Sequence, residues 1–324
     1  MKSYQLSNGF YDLSLENETD INVLKLKKYF FNYINIEEKN NNDENENILV
    51  IRDKEKYNKE NFEIEYIIDE HKVCIENSKI VIFLDNTEKD TIFLKRFIID
   101  YMNRIIEKNG GMFLHGSTII NKNDAIIFTG KKMSGKTTNM LFMLEKEGFN
   151  YSSNEKVALV KRKNKIYSYG CPSNINIRVG TIKYNANILK KLKMYIDTKE
   201  YEESLIKPSN SKEERIVFTA SELSNSFDTN IEPIGIVKCI CNLTFLPEVD
   251  FSMRELSYKE KLIILKRNII SGVYPTREEI LNKIVTNDYS GKIEDLTDIK
   301  CYNICHNNTV NNTEKILTRI KEDL

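Results

Sequence analysis

The stretch FTGKKMSGKTT, residues 128–138, constrains the chain more than any other. Within it, Gly130, Gly135, Lys136 and Thr137 stand at the G-x-x-x-x-G-K-T spacing of a phosphate-binding loop. The spacing carries weight only between a strand and a helix, and both are expected. Residues 125–129, AIIFT, read as a strand, and 136–147 as a helix with Gly148 placed to cap it. The two glycines admit backbone geometries that a side chain would obstruct, so successive N–H groups can converge on phosphate oxygens. The helix N-terminus adds positive potential. The expected phosphate contacts are Gly130, Lys132, Met133, Ser134, Gly135, Lys136, Thr137 and Thr138. Lys136 would reach β- and γ-phosphates, and the Thr137 hydroxyl would bind Mg²⁺.

The flanks add candidates. Residues 112–119, MFLHGSTI, read as a strand, and Asn121-Lys-Asn-Asp124 as the turn into the next. If Ile120 pairs with Ala125 across that turn, His115 falls opposite Gly130. There it could orient a carboxylate, donate to phosphate or relay a proton, or simply be a structural histidine. After the helix, GFNYSSNEKVALV reads as a strand returning beside the loop. Ser152, Ser153, Asn154 and Glu155 would enter it near the strand end where ligands gather in α/β sheets. Glu155 is the only carboxylate in 149–165. It could bind Mg²⁺ or take a proton from an attacking hydroxyl, and Asn154 could ligate the metal or position an acceptor. The alternative for both is a polar turn.

Asn121–Asp124 also matches the guanine-reading pattern N-K-x-D, and Asp288-Tyr-Ser-Gly291 matches D-x-x-G. Only one strand fits between Asp124 and Gly130, and the second match comes far too late in the chain. A hairpin turn explains Asn121–Asp124 better.

Elsewhere, residues 37–47 form a polar low-complexity loop, and 47–52, 62–68, 71–76 and 79–84 read as strands of a β-rich N-terminal part over 1–90. Phe93, Phe97, Tyr101 and Ile105 recur at helical spacing up to Gly110-Gly111. Lys165–Tyr169 reads as the second strand of a hairpin with a basic turn, RIVFTA and IGIVKCICNLTFLP as strands, and NANILKKLKMYI, SYKEKLIILKRNII and TEKILTRIKEDL as helices, the last capped by Thr313. Residues 91–324 would form the phosphate-binding domain. Six cysteines include Cys239-Ile-Cys241 and Cys301-x-x-x-Cys305-His306, neither a C-x-x-C pair, and both are read as reduced thiols. With 48 basic and 48 acidic residues, nothing global points to nucleic acid or to an anionic membrane surface. No apolar run approaches the ~18–20 residues that span a bilayer, and no signal-peptide core is seen, so a cytoplasmic protein is expected.

His115-Gly116, the hairpin, the glycine loop, Gly148 and SSNE follow one another in an order that resembles the HPr kinase/phosphorylase superfamily, whose nucleotide domain is like that of phosphoenolpyruvate carboxykinase. Gly170-Cys171-Pro172, Arg178, FTASELSNSF and TFLPEVDF are similar to later segments of that wider group. The resemblance implies an α/β fold with a P-loop nucleotide-binding mixed sheet of that type, and assigns His115 to the family histidine and Asn154-Glu155 to its acidic pair. Asn154 thus stands where the family has an acid, and Glu155 where it has Asp. The nearer likeness is to the peptide-modifying members, including lasso-peptide kinases. It implies an ATP- and Mg²⁺-dependent kinase acting on a hydroxyl of a peptide or small protein, with Glu155, His115 and Lys136 catalytic and Thr137, Glu155 and Asn154 at the metal. A P-loop ATPase that drives a partner's movement, or a nucleotide-binding pseudokinase, are the alternatives. ATP against GTP, and a homo-oligomer against a monomer, stay open.

Overall fold

The computed structural model describes residues 2–19, 23–39, 47–58, 62, 64–146, 148–183, 185–198, 214–285, 293–307 and 310–322. Residues 40–46 of the expected polar loop and the Asp288–Gly291 match lie outside these. The chain divides into two compact units, 1–112 with 271–291, and 113–270 with 292–324.

The first unit holds strands β1 (Lys2–Ser7), β2 (Asp12–Asn17), β3 (Asn35–Lys39), β4 (Ile48–Asp53), β5 (Ile64–Ile68), β6 (His71–Glu76) and β7 (Lys79–Leu84) in one sheet of order β3-β1-β2-β4-β7-β6-β5. Its first three strands, and helix α1 (Val23–Tyr29), are short and carry many polar residues, which is why the sequence gives little warning of them. Helix α2 (Glu88–Lys108) follows. The Thr87 hydroxyl accepts from the Asp90 N–H while the Asp90 carboxylate accepts from the Thr87 N–H, a closed capping box. Phe93, Phe97, Tyr101 and Ile105 are buried along one stripe, as their spacing predicts. The expected boundary at 90/91 therefore moves to 112/113, because α2 packs within the first unit. Residues 271–291 also return to that unit. Their helix, Pro275–Ile284, packs on α2 and β5.

The second unit is mixed α/β. Its strands are β8 (Met112–Asn121), β9 (Asp124–Thr129), β10 (Phe149–Arg162), β11 (Lys165–Gly170), β12 (Ile175–Arg178), β13 (Arg215–Phe218), β14 (Ile234–Phe245), β15 (Ser252–Glu255), β16 (Ile269–Ile270) and β17 (Lys300–His306). The main sheet runs β11-β10-β8-β9-β14-β17-β15, with β16 on β8; β11 also pairs β14, so five strands close on themselves. Gly116 faces Thr129 and Asn121 faces Asp124 across the β8–β9 hairpin, the register expected from the tight turn. β9, β14 and β17 are parallel, so Thr129, Phe245 and His306 end at one edge of the sheet. Helix α3 (Lys136–Leu144) leaves from that edge. It stops three residues short of the expected end, with Glu145 rather than Gly148 as its cap and the chain leaving through an i→i+3 turn at Lys146. Helices α4 (Val179–Lys183) and α5 (Ala186–Thr198) follow β12. The last helix, Val310–Glu322, begins three residues before Thr313, which therefore lies inside it rather than at its cap.

All six cysteines are free; five are buried and Cys305 is half-buried. Burial pushes the Cys301 thiol up to about 12. That suits inert core thiols. Among the described residues, no group of three His, Cys, Asp or Glu could hold a metal, and no helix is long and apolar enough to cross a membrane.

Candidate functional site

Residues 130–135 turn the chain from β9 into α3. Gly130 has φ +136° and Gly135 φ +88°, and Met133 also sits in the left-handed region at φ +71°. A Cβ at Gly130 would lie 2.4 Å from the Leu243 carbonyl oxygen; at Gly135 it would lie 2.8 Å from the His306 ring. Both positions require glycine on conformation and on space. The result is a loop whose backbone wraps one concave spot at the start of a helix.

The Ser134 hydroxyl is buried among the loop atoms without a hydrogen-bond partner. An unsatisfied buried hydroxyl costs about 1–3 kcal/mol, so the loop carries a polar atom that a phosphate oxygen would satisfy. Lys136 Nζ donates to the carbonyls of Gly130 (2.8 Å) and Lys131 (3.0 Å), folding over its own loop. Burial lowers its pKa to about 8, partly offset by the Glu155 charge. The Thr138 hydroxyl lies 3.3 Å from that of Thr181 on α4, which brings α4 against the start of α3.

Behind the loop stands His306, fully buried at the end of β17. Its Nε2 donates to the Ser134 carbonyl at 2.9 Å, and burial lowers its pKa. The sequence offered His306 only as a partner of Cys305. What could have found it is strand order, since β17 parallels β14 and β14 parallels β9.

Asn154 and Glu155 do not occupy a strand-entry turn. They sit mid-strand in β10, and Glu155 has φ +84°. This backbone conformation is uncommon for a residue with a side chain and costs on the order of 1–3 kcal/mol. The irregularity splits the pair. Asn154 is buried and its Oδ1 accepts from the Thr137 hydroxyl at 3.0 Å. Glu155 is exposed, and its Oε1 accepts from Asn176 Nδ2 of β12 at 3.2 Å. The oxygen that meets Thr137 is thus that of Asn154, where Glu155 was the expected carboxylate. Two oxygens 3.0 Å apart suit neighbouring corners of an octahedron with bonds of about 2.0–2.1 Å, so Thr137 and Asn154 fit a hard cation such as Mg²⁺.

His115 does lie beside the loop's start: its carbonyl accepts from the Thr129 hydroxyl at 2.9 Å. Its ring reaches Glu155, but through the backbone. Nδ1 donates to the Glu155 carbonyl at 3.0 Å, and burial, then Lys136, lower its pKa. It therefore braces the left-handed backbone at Glu155 rather than contacting the carboxylate. The basic turn at 161–164 contributes Lys161 to an ion pair with Asp295 (2.6 Å) instead of to the loop.

His115, the loop and helix start from Lys132 to Thr138, Asn154 and Glu155 line one pocket of about 1000 Å³ in the second unit. It includes all of the expected contacts except Gly130, and adds Asn176, Arg178, Arg215 and Phe245, which sequence reading had not joined to the site, apart from the family-based mention of Arg178. Its size suits a nucleotide-sized ligand.

No family model matches the chain, and no curated protein does. Among solved structures, the Hpr(Ser) kinase/phosphatase from Coxiella burnetii aligns with 65% of this chain and 99% of its own, at 12% identity and a TM-score of 0.29. The likeness is distant.

Proposed function

We propose that the chain is an ATP-dependent kinase of the HPr kinase/phosphoenolpyruvate carboxykinase type that phosphorylates a hydroxyl on a peptide or small protein. One observation carries the reading: a glycine loop with an orphaned buried hydroxyl, a lysine folded over it, and a carboxylate in the same pocket. The loop's N–H groups, Ser134 and Lys136 hold the β- and γ-phosphates. Lys136 leaves the Gly130 and Lys131 carbonyls to do so. Thr137 and Asn154 would hold Mg²⁺, which when bound neutralises charge on the β- and γ-oxygens.

The acceptor oxygen attacks the γ-phosphorus as the bond to the β–γ bridging oxygen breaks. ADP leaves with that electron pair, and the hydroxyl proton passes to the Glu155 carboxylate. Asn176 aims that carboxylate and His115 fixes the backbone that carries it. Little covalent work falls to the protein, so rate rests on positioning and charge. Asn154 in place of an acid favours one second reading, a module that binds nucleotide without turning it over.

The test is γ-labelled ATP with Mg²⁺ and candidate precursor peptides, run with the wild type, Lys136→Ala and Glu155→Gln. Label on a peptide, lost in both variants, supports the kinase. Free phosphate with every peptide unlabelled points to an ATPase, and ATP bound without turnover to the non-catalytic module.

A further inference from the structure

One wall of the pocket is not accounted for by phosphate chemistry. β14 lies beside β9 on the side away from β8, and its last residue is Phe245. Phe245 lines the pocket, and among the described residues it is the sole Phe, Tyr or Trp there. A phenyl ring gains from burial, yet Phe245 is 39% exposed. The His306 ring stands 6.0 Å from it, centroid to centroid, and His306 Nε2 bonds the Ser134 carbonyl. One histidine therefore ties the phenyl ring to the glycine loop. Met133 of that loop is 58% exposed, lines the same pocket and adds a polarisable thioether.

The two ends of a bound nucleotide need different surroundings. The transferred phosphate must lie near Glu155, which sits on β10 and is held by Asn176 of the β12–β13 ribbon. In the sheet order β10-β8-β9-β14, that carboxylate and the phenyl ring stand on opposite sides of the strand that feeds the loop. A flat nucleobase at the far end of the phosphate chain needs an apolar face, and Phe245 supplies one. We infer that Phe245 is the platform on which the base of the phosphate donor stacks. A carbon ring reads no hydrogen-bond pattern, so it holds a base by its face alone. What it selects is a nucleoside triphosphate over a bare polyphosphate. The inference rests on the kinase reading and adds the residue that recognises the donor's base.

Two ligands test it, ATP and inorganic tripolyphosphate, each titrated calorimetrically with Mg²⁺. Wild type should bind ATP more tightly than tripolyphosphate. Phe245→Ala should weaken ATP by about tenfold or more and tripolyphosphate by less than about twofold. Phe245→Tyr, which keeps the ring, should bind both as wild type does. The chain contains no Trp, so Phe245→Trp places a single indole at the site. ATP should change its emission more than tripolyphosphate does. A loss of folding would weaken both ligands together, so the contrast between them separates stacking from damage. The inference is overturned if wild type binds the two alike, if Phe245→Ala leaves ATP unchanged, or if it weakens both equally. Failure of wild type to bind either ligand overturns the kinase reading itself.

Discussion

At the scale of single residues, Lys136 and Glu155 each pay for position with an unfavourable state. Lys136 is buried enough that its pKa falls to about 8 from an ordinary 10.5. Bound phosphate would raise it again. Below pH 8 the ammonium is charged with or without ligand. Above pH 8 the free protein has lost a proton that the bound form keeps, so affinity should fall. ATP binding titrated from pH 7 to pH 9.5 should weaken by about tenfold per unit above pH 8, and a flat profile would remove Lys136 from the phosphates. Glu155 holds φ +84° inside a strand. Glu155→Gly should therefore raise stability by about 1 kcal/mol in denaturant unfolding while abolishing transfer. Glu155→Gln should abolish transfer with stability unchanged. The glycine loop and its lysine were legible because their meaning is local. The splitting of Asn154 from Glu155 was not, since the one residue type in SSNEK that favours a left-handed backbone is Asn154, and the left-handed position is Glu155.

Among the elements, the start of α3 lies against His306 at the end of β17. His306 touches the space a Cβ at Gly135 would need, and bonds the carbonyl beside it. Gly135→Ala should destabilise the protein by about 1–3 kcal/mol, from the left-handed φ and the clash together. His306→Ala relieves the clash but leaves the left-handed strain, and it also removes the bond to the Ser134 carbonyl. In a double-mutant cycle by thermal unfolding, the two changes should couple by about 1 kcal/mol, and strict additivity would mean that the ring does not brace the loop. Sequence reading reached the β8–β9 register because a tight hairpin fixes its own pairing. It missed His306 and Asn176 because they meet the site through sheet order and through a ribbon whose strands are far apart in sequence.

For the whole molecule, Arg277 joins segments far apart in sequence. It is buried, and donates to Asp100 of α2 at 2.7 Å and to Asp69. Removing one side of such a pair strands the other charge. Arg277→Met should cost about 3–5 kcal/mol in unfolding free energy, with part recovered in Arg277→Met/Asp100→Asn. The sequence suggested an N-terminal part complete by residue 90, because nothing in the local pattern of 271–291 says which core it belongs to. The structure gives that segment to the first unit. A ribosome makes the chain in one direction. The first unit's sheet and α2 leave it early, yet Asp100 waits for its guanidinium until residue 277 has been added. The first unit is begun before the second, yet it is completed only after residues 113–270 of the second have been added, and until then the nascent chain holds an incomplete core.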